Sequence, residues 1–330
     1  MDWKRELEEH QADSLSVAVI RNFQIADTVA QGDGVTAHTR FQAASVSKMV
    51  FAAAVLRLAA EGRLSLEDDI GRYLGELPLH NAEGRPARAT VRQVLAHTAG
   101  FGVHGFYGYG HGEELPTTAQ IVLGEPPCNS PKVVQEYRPG EHWAYSGGGF
   151  MLLQNCVENI SGLPFADFME RAVLSPLEMG DSTYRQDVME HIAKGYTTDW
   201  NPVPGGHQLM PEQAAAGLWT TAVDLAKFGI HLQNILRGKA GIIPRALVEE
   251  MVTPQHGDVL DLEDTACRTG LGCYIKQLYG ETYFGHSGSN VGFKALVNFS
   301  VQNGKGCCVL VNADAAAPLR RRIQDFFLGA

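Results

Sequence analysis

An apolar helix that directly follows a serine and a lysine constrains this chain most. Residues 49–60, Met-Val-Phe-Ala-Ala-Ala-Val-Leu-Arg-Leu-Ala-Ala, are apolar on every side apart from Arg57, and Gly62 follows them. Strong helix formers with a glycine just past the end predict a helix, and apolar residues all round predict a buried one. The run is shorter than the roughly 18 residues of a membrane span, so it predicts a core helix and no membrane span.

The composition is that of a folded chain with one large domain or two closely joined ones. The 330 residues are 45% hydrophobic and 19% charged, which excludes the disordered and coiled-coil classes. A dispersed net charge of −10 opposes binding to polyanions, so we expect no nucleic-acid partner. The charged N-terminus has no apolar signal segment, and the six cysteines include no C-x-x-C pair. We therefore expect a cytoplasmic location and buried, reduced thiols.

The order of helical and strand-like segments predicts the fold. A hairpin over residues 15–30 precedes the apolar helix, short helices and Gly/Pro-rich loops fill the middle, and strands followed by a last helix occupy residues 272–328. We expect an α+β protein, an α/β/α sandwich in which terminal helices flank an antiparallel sheet. Residues 1–75 and 210–330 would form this sandwich, and residues 76–209 an inserted, mostly helical subdomain.

Ser45 and Lys48 form the one S-x-x-K pattern in the chain. At positions i and i+3 of a helix the two side chains share a face. A partly desolvated lysine can accept the proton that a serine hydroxyl must lose to become a nucleophile, and a helix N-terminus favours a developing oxyanion. The alternatives are a helix-capping serine and a surface lysine that reaches into solvent. The second fits poorly, because the helix after Lys48 is apolar on every side.

Two further motifs follow in the chain, Tyr145-Ser146-Gly147 and His286-Ser287-Gly288. In this order and at these separations, the three motifs resemble S-x-x-K, Y-x-N and K/H-x-G of the serine β-lactamase and penicillin-binding protein superfamily. The chain is most similar to the class C β-lactamase-like branch of esterases, D-amino-acid peptidases and DD-peptidases. Residues 90–100 and 216–226 are similar to other segments of that family, so the resemblance covers nearly the whole chain.

The resemblance implies a fold and a set of roles. The fold would be β-lactamase/transpeptidase-like and would need no cofactor. Ser45 would be the nucleophile with Lys48 as its partner, and Tyr145 a general base, either as a phenolate or through Lys48. His286 stands where the family often has a cationic lysine. The backbone N–H groups of Ser45 and Ser289 would form the oxyanion hole.

Gly147 departs from the family pattern, in which an asparagine amide at this position binds a substrate amide and braces the lysine. The loss of that amide favours esters over peptides and β-lactams, and His286 in place of lysine agrees with this. Gly147 and Gly288 would border the substrate. We expect a serine hydrolase that forms an acyl-enzyme with small carboxylic esters. A D-amino-acid peptidase, DD-peptidase or β-lactamase is one alternative, and an acyl-binding sensor without turnover is another.

Residues 100–112 are rich in glycine and aromatic residues. Glycines allow close backbone approach, and rigid aromatic rings supply apolar contact area for a ligand. We therefore expect Phe106, Tyr107 or Tyr109 to line the acyl or alcohol pocket near Ser45. The alternative is a surface loop whose aromatic side chains pack into the body of the protein.

Two other kinds of site are excluded on sequence grounds. Residues 285–289 nearly match the nucleophile elbow G-x-S-x-G, but that fold needs a histidine after the serine, and His286 is the last of the 12 histidines. His97, His104 and His111 recur every seven residues, but the glycines among them forbid the helix that would align them. We expect no metal site.

Overall fold

A computed structural model describes residues 1–187, 190–261 and 265–329. It contains mixed helices and strands. The helices are α1 (Trp3–Glu9), α2 (Val46–Ala60), α3 (Val91–Leu95), α4 (Thr118–Leu123), α5 (Gly147–Ser161), α6 (Phe165–Met169), α7 (Gln213–Ala216), α8 (Ala222–Leu236), α9 (Arg245–Met251) and α10 (Ala317–Leu328). The strands are β1 (Leu15–Arg21), β2 (Gln24–Gln31), β3 (Phe41–Gln42), β4 (Trp219–Thr220), β5 (His256–Leu260), β6 (Ala266–Thr269), β7 (Tyr274–Leu278), β8 (Glu281–Asn290), β9 (Phe293–Ser300) and β10 (Gly306–Val311).

The main sheet joins the two ends of the sequence. Its eight strands are antiparallel and run in the order β2-β1-β10-β9-β8-β7-β6-β5, while β3 and β4 pair separately. Strand β1 pairs with β10 from Leu15 opposite Val311 to Ile20 opposite Gly306. The predicted α+β architecture with an antiparallel sheet is confirmed.

Helices cover both faces of this sheet, as the neighbouring residues Cys307 and Cys308 illustrate. Side chains alternate along a strand, so the two thiols belong to different apolar cores. Cys307 lies in the core between the sheet and helices α1 and α10, and Cys308 in the core that contains α2 and α8. All six cysteines are free, and only Cys128 is not fully buried.

Helix α2 is the central helix of the larger core. Residues 46–56 of this helix are all buried, and Gly62 follows in a left-handed conformation with φ +68°. The predicted buried helix is thus confirmed, with three more residues at its N-terminal end. Within the described ranges, no helix is long and apolar enough to cross a membrane.

Helices α3 to α6 lie within residues 76–209, and the eight strands of the main sheet come from residues 15–31 and 256–311. This distribution is compatible with an inserted helical subdomain. The boundaries at residues 75 and 210 stay a prediction.

The structure adds two features that the sequence did not indicate. Strands β5 and β6 form the far edge of the sheet, where exposed and polar side chains hide the apolar alternation. Strand β8 continues to Asn290, so His286-Ser287-Gly288 lies within the strand and not after it. The third motif is therefore held rigidly by pairing with β9.

Candidate active site

Ser45 lies at the turn that starts helix α2. The preceding residue, Ala44, has φ +48°, a conformation that costs a non-glycine residue energy and is typical of functional turns. Ser45 makes no side-chain capping bond, which rules out the capping alternative. The N–H groups of residues 46–48 bond to the carbonyls of residues 43–45, whereas the N–H of Ser45 has no such bond to any described residue. The available donor is therefore the N–H of Ser45 itself, not the first turn of the helix as a whole.

Lys48 extends its side chain from α2 toward Ser45. It is 2% exposed, so it is not the surface lysine of the alternative interpretation. Its Nζ lies 3.2 Å from Ser45 Oγ and 2.7 Å from the carbonyl oxygen of Ala215 in α7. Burial lowers the pKa of Lys48 to about 7. Near neutral pH a large fraction of Lys48 is therefore uncharged and able to accept a proton.

Tyr145 directly precedes helix α5, and backbone bonds fix its position. The N–H groups of Gly147 and Gly148 donate to the carbonyls of His104 (3.1 Å) and Val103 (2.9 Å). Ser146 caps the helix through its hydroxyl, which accepts a bond from the third helical N–H. The segment 102–106 is thereby attached to the start of α5, next to Tyr145.

The ring of Tyr145 is packed among imidazoles and the lysine. Ring centroids of His97 and His104 lie 4.4 and 4.9 Å from that of Tyr145, and Lys48 Nζ lies 4.9 Å from the same centroid. Burial raises the pKa of Tyr145 above its usual value, and the nearby Ser45 hydroxyl has a smaller, opposite effect. No direct bond of standard geometry joins the two hydroxyls. Tyr145 is therefore a neutral phenol at ordinary pH.

His97 packs against the Tyr145 ring and bonds to the next residue in the chain. Its Nδ1 accepts the N–H of Ser146 at 3.1 Å, so the proton of the neutral ring is on Nε2. Burial first, and the nearby charge of Lys48 second, hold the pKa of His97 well below its usual value. His97 is thus a neutral hydrogen-bond acceptor. The resemblance of residues 90–100 to a family segment does not by itself predict this role.

His286 lies on β8 and faces Tyr145, with ring centroids 6.2 Å apart. Its Nδ1–H donates to the carbonyl of Ser287 at 2.6 Å. Burial, with a smaller contribution from Lys48, lowers the pKa of His286 to about 3. The side chain is uncharged, so it does not reproduce the cation that the family often has here.

The edge of β8 beside Ser45 is open. Strand β7 pairs with β8 only as far as Gly285, whereas β9 pairs along residues 283–290. Val301 N–H bonds the carbonyl of the opposite residue Thr282, and hydrogen-bonded pairs alternate along an antiparallel ladder. The N–H of Ser289 therefore points away from β9, toward the open edge.

Gly288 brings this edge against the nucleophile. A Cβ at Gly288 would lie 2.2 Å from the carbonyl oxygen of Ala43 and 3.1 Å from the backbone nitrogen of Ser45. Only glycine permits this approach. The structure thus brings Ser45, Lys48, Tyr145, His286 and the backbone at Gly288 together.

The three aromatic residues of the glycine-rich segment have different surroundings. A Cβ on Gly147 would lie 2.9 Å from the ring of Phe106, so this ring lies against the second motif. Tyr107 is 81% exposed. Tyr109 is 2% exposed, and its hydroxyl accepts the N–H of Asn129, as expected from the packing alternative. Of the three, Phe106 is the one seen in contact with a motif residue.

The serine of the near-match to G-x-S-x-G and the three regularly spaced histidines have different surroundings in the structure. Ser287 is 1% exposed, which does not suit a nucleophile. His97 and His104 contact Tyr145, whereas the ring of His111 packs on that of His207, 4.5 Å away. Within the described part of the chain, no three His, Cys, Asp or Glu side chains are grouped to hold a metal ion.

A model of the Beta-lactamase family matches residues 3–326. The chain belongs to the beta-lactamase family. This confirms the family resemblance seen in the three motifs. Beta-lactamase-family proteins are serine hydrolases, and their relatives among known proteins include esterases, peptidases and β-lactamases.

Named relatives of this beta-lactamase-family chain differ in activity. Esterase EstB from Burkholderia gladioli is 27% identical over 252 residues, which make up 66% of this chain and 62% of EstB. The octameric penicillin-binding protein homologue from Pyrococcus abyssi has a TM-score of 0.78 at 22% identity, over 100% of this chain and 78% of that one. A D-stereospecific amidohydrolase from Streptomyces sp. has a TM-score of 0.76 at 23% identity, over 99% and 98% of the two chains.

These matches are stronger evidence for the fold of this chain than for the identity of its substrate. The chain spans less than two thirds of the length of the curated relatives that it matches first. The two similar structures share less than a quarter of their residues with it, so they establish the beta-lactamase-like fold alone.

Proposed function

We propose that the chain is a serine hydrolase that forms an acyl-enzyme on Ser45 and acts as a carboxylesterase on small esters. One observation carries the proposal: Lys48 Nζ lies 3.2 Å from Ser45 Oγ, on a buried side chain whose pKa is lowered to about 7. Geometry and protonation state together suit a general base.

In acylation, uncharged Lys48 takes the proton of Ser45 as Oγ attacks the ester carbonyl carbon. The carbonyl oxygen becomes an oxyanion, stabilised by the N–H groups of Ser45 and Ser289. When this intermediate collapses, the bond to the alcohol oxygen breaks and the proton on Lys48 passes to the departing alcohol. Water then repeats the sequence on the acyl-enzyme, which releases the carboxylic acid and restores Ser45.

Tyr145 enters this scheme as a neutral phenol. Its buried hydroxyl has a raised pKa, which disfavours a phenolate base, and its ring lies 4.9 Å from Lys48 Nζ. We assign Tyr145 to the side of the site where the leaving group departs, with its hydroxyl relaying the proton between Lys48 and the alcohol. His286, uncharged and next to Tyr145, packs the ring and does not supply charge.

The ester preference rests on Gly147 and Phe106. Gly147 has no side chain that could bind a substrate amide, and the Phe106 ring fills the space beside it. An apolar surface at this position suits the acyl chain of an ester. The name of the relative EstB, an esterase, agrees with this preference. D-amino-acid amides, peptidoglycan-like peptides and β-lactams are the alternative substrates.

Labelling with a fluorophosphonate tests the nucleophile. We expect one covalent adduct, on Ser45, and Ser45→Ala should lower turnover of a chromogenic ester by orders of magnitude. Ser287→Ala is the matched control, because this serine lies nearby on β8 yet should keep both labelling and turnover. An adduct on Ser287, or unchanged turnover in Ser45→Ala, would contradict the proposal. A stoichiometric burst without further turnover would instead indicate a sensor.

A further inference from the structure

Arg320 is a buried arginine behind the strand that borders Ser45. It lies on α10, is 4% exposed, and packs with the core between α10 and the sheet. Its Nη1 donates to the carbonyl oxygens of Gly288 at 2.9 Å and Ala295 at 2.6 Å. These two residues stand opposite each other in the β8–β9 ladder. The guanidinium therefore bridges the two strands at Gly288, whose backbone lies against that of Ser45.

The bonded carbonyl and the proposed oxyanion donor belong to one peptide group. The carbonyl of Gly288 and the N–H of Ser289 are the two polar ends of the Gly288–Ser289 peptide. A hydrogen bond from a cation to the carbonyl draws electron density from the nitrogen, and hydrogen bonds in such chains strengthen one another. Because the Ser289 N–H points to the open edge, the bond from Arg320 makes it a better donor in that direction.

Arg320 has apolar neighbours on its own helix. The neighbouring Leu319 and Ile323 are fully buried in the same core, so an apolar side chain would fit the surroundings. Replacing a buried charge by a well-packed apolar residue is often neutral or stabilising, because desolvation of the charge is costly. The position of the charge, directly behind the Gly288 carbonyl, suggests a contribution to the site.

We infer that Arg320 is a positioning residue that orients and polarises the Gly288–Ser289 peptide for the oxyanion. This inference rests on the proposed acyl-enzyme chemistry. The guanidinium touches neither substrate nor reacting atoms and acts through one peptide group. Because cooperative strengthening is about 10–30% per bond, we expect its loss to reduce the rate less than loss of an oxyanion donor, by roughly threefold to tenfold.

The test compares Arg320→Met and Arg320→Lys with Arg321→Met, an exposed arginine on the same helix. Each variant is assayed for kcat and KM with a chromogenic ester, and for inhibition by a boronic acid, which forms a tetrahedral anionic adduct on the serine. In Arg320→Met we expect kcat to fall, KM to stay, and the inhibition constant to rise by the same factor as kcat/KM falls. Arg320→Lys should recover part of the loss, and Arg321→Met should match the parent.

Thermal unfolding and fluorophosphonate labelling complete the test. The inference would be overturned if Arg320→Met folds and keeps the kcat and the boronic acid affinity of the parent. It would also be overturned if KM rises while kcat stays unchanged. If Arg320→Met does not fold, Arg320→Lys decides, since a single flexible ammonium should still lower kcat and boronic acid affinity together. Failure of the proposed function itself has a different signature: the parent protein would not be labelled at Ser45.

Discussion

At the scale of single residues, the burial of Lys48 does the most to define the chemistry. Burial leaves about half of the Lys48 amine uncharged at pH 7, while burial of Tyr145 keeps its hydroxyl protonated. Burial disfavours the charged form of any ionisable group. It therefore lowers the pKa of Lys48, so that the amine can act as a base, and raises the pKa of Tyr145, so that the phenol stays protonated and cannot. The choice between phenolate and amine, open from the sequence, is decided in our proposal by this shared desolvation.

The pH dependence of the rate tests this choice. The uncharged amine is the active form, so kcat/KM for a chromogenic ester should rise with pH, bend near pH 7 and then stay level. Lys48→Arg should be inactive throughout, because a guanidinium stays protonated. A rate that keeps rising to pH 10 would assign the base to a phenolate or to a lysine with an ordinary pKa.

The sequence predicts the candidate catalytic residues, because the proposed chemistry needs particular side chains at particular spacings. It does not predict which groups these side chains contact. Ser45, Lys48 and Tyr145 follow from motif spacing, and the structure brings them together. The Ala215 carbonyl that holds Lys48 was invisible, because any residue offers a carbonyl. The uncharged state of His286 was also missed, since burial cannot be read from a strand of mixed polarity.

At the scale of elements, the start of helix α5 shows how a loop and a helix share one site. The segment 102–106 accepts hydrogen bonds from the N–H groups of Gly147 and Gly148, the first two residues of α5. Its backbone lies so close that a Cβ at Gly147 would be 3.1 Å from the carbonyl oxygen of His104, and a Cβ at Gly148 would be 2.8 Å from that of Gly102. Because glycines are poor helix formers, the sequence alone favours a helix that begins after them, at Phe150. The structure begins it at Gly147, since the docked segment satisfies the N–H groups that would otherwise be free.

This packing changes the expected result of restoring an asparagine. In Gly147→Asn the new Cβ would lie 2.9 Å from the Phe106 ring, so the single variant should lose stability, by about 1–3 kcal/mol, and ester turnover. Combining Gly147→Asn with Phe106→Ala removes the ring that lies nearest to the new Cβ and leaves the carbonyl oxygen of His104 at 3.1 Å. The double variant should raise turnover of an anilide relative to an ester with the same acyl group.

Phe106→Ala alone is the matched control for this experiment, since it opens the space without adding an amide. If the anilide-to-ester ratio of the double variant equals that of Phe106→Ala, the amide at residue 147 does not set the preference. Turnover of both substrates and urea unfolding should be measured on the same protein preparations.

At the scale of the whole molecule, the site costs stability. Lys48 is buried, with its Nζ 5.7 Å from the centre of the Phe150 ring of α5, and this burial disfavours its charged form. Its folded pKa of about 7 lies below the value of roughly 10.4 in an unfolded chain. Between these values the unfolded state binds more protons than the folded state, so the free energy of unfolding rises with pH across that window.

Lys48→Met should therefore stabilise the protein while removing its activity. The gain should be of the order of 2 kcal/mol at pH 6, after allowing for the carbonyl of Ala215 left without its donor, and should shrink as pH approaches 10. Urea unfolding at pH 6 and pH 9.5 measures both values. Lys239→Met, at an exposed position, is the control and should show no such pH dependence. A gain that is the same at both pH values would contradict the burial argument.

The architecture was more predictable than the site, because alternation and helical period report which face is buried. The hairpin of β1 and β2, helix α2 and the last helix α10 follow from these patterns. Strands β5 and β6 at the sheet edge did not, since edge strands bury few side chains and carry little pattern. The order of the strands in the sheet could not be predicted from the motifs either. Strands β1 and β10 are neighbours in the sheet but lie at opposite ends of the sequence, so no local pattern reports their pairing.

That pairing has a consequence during protein synthesis. The hairpin of β1 and β2 leaves the ribosome early. The other edge of β1 stays unpaired until β10, which ends at Val311, has been synthesised. Until then the nascent chain displays a largely apolar strand with one edge of unpaired backbone groups, a ready target for chaperones and for other nascent chains. Translation that stops before Gly306 would leave β1 uncovered permanently, so premature release should yield aggregates and not a smaller folded protein.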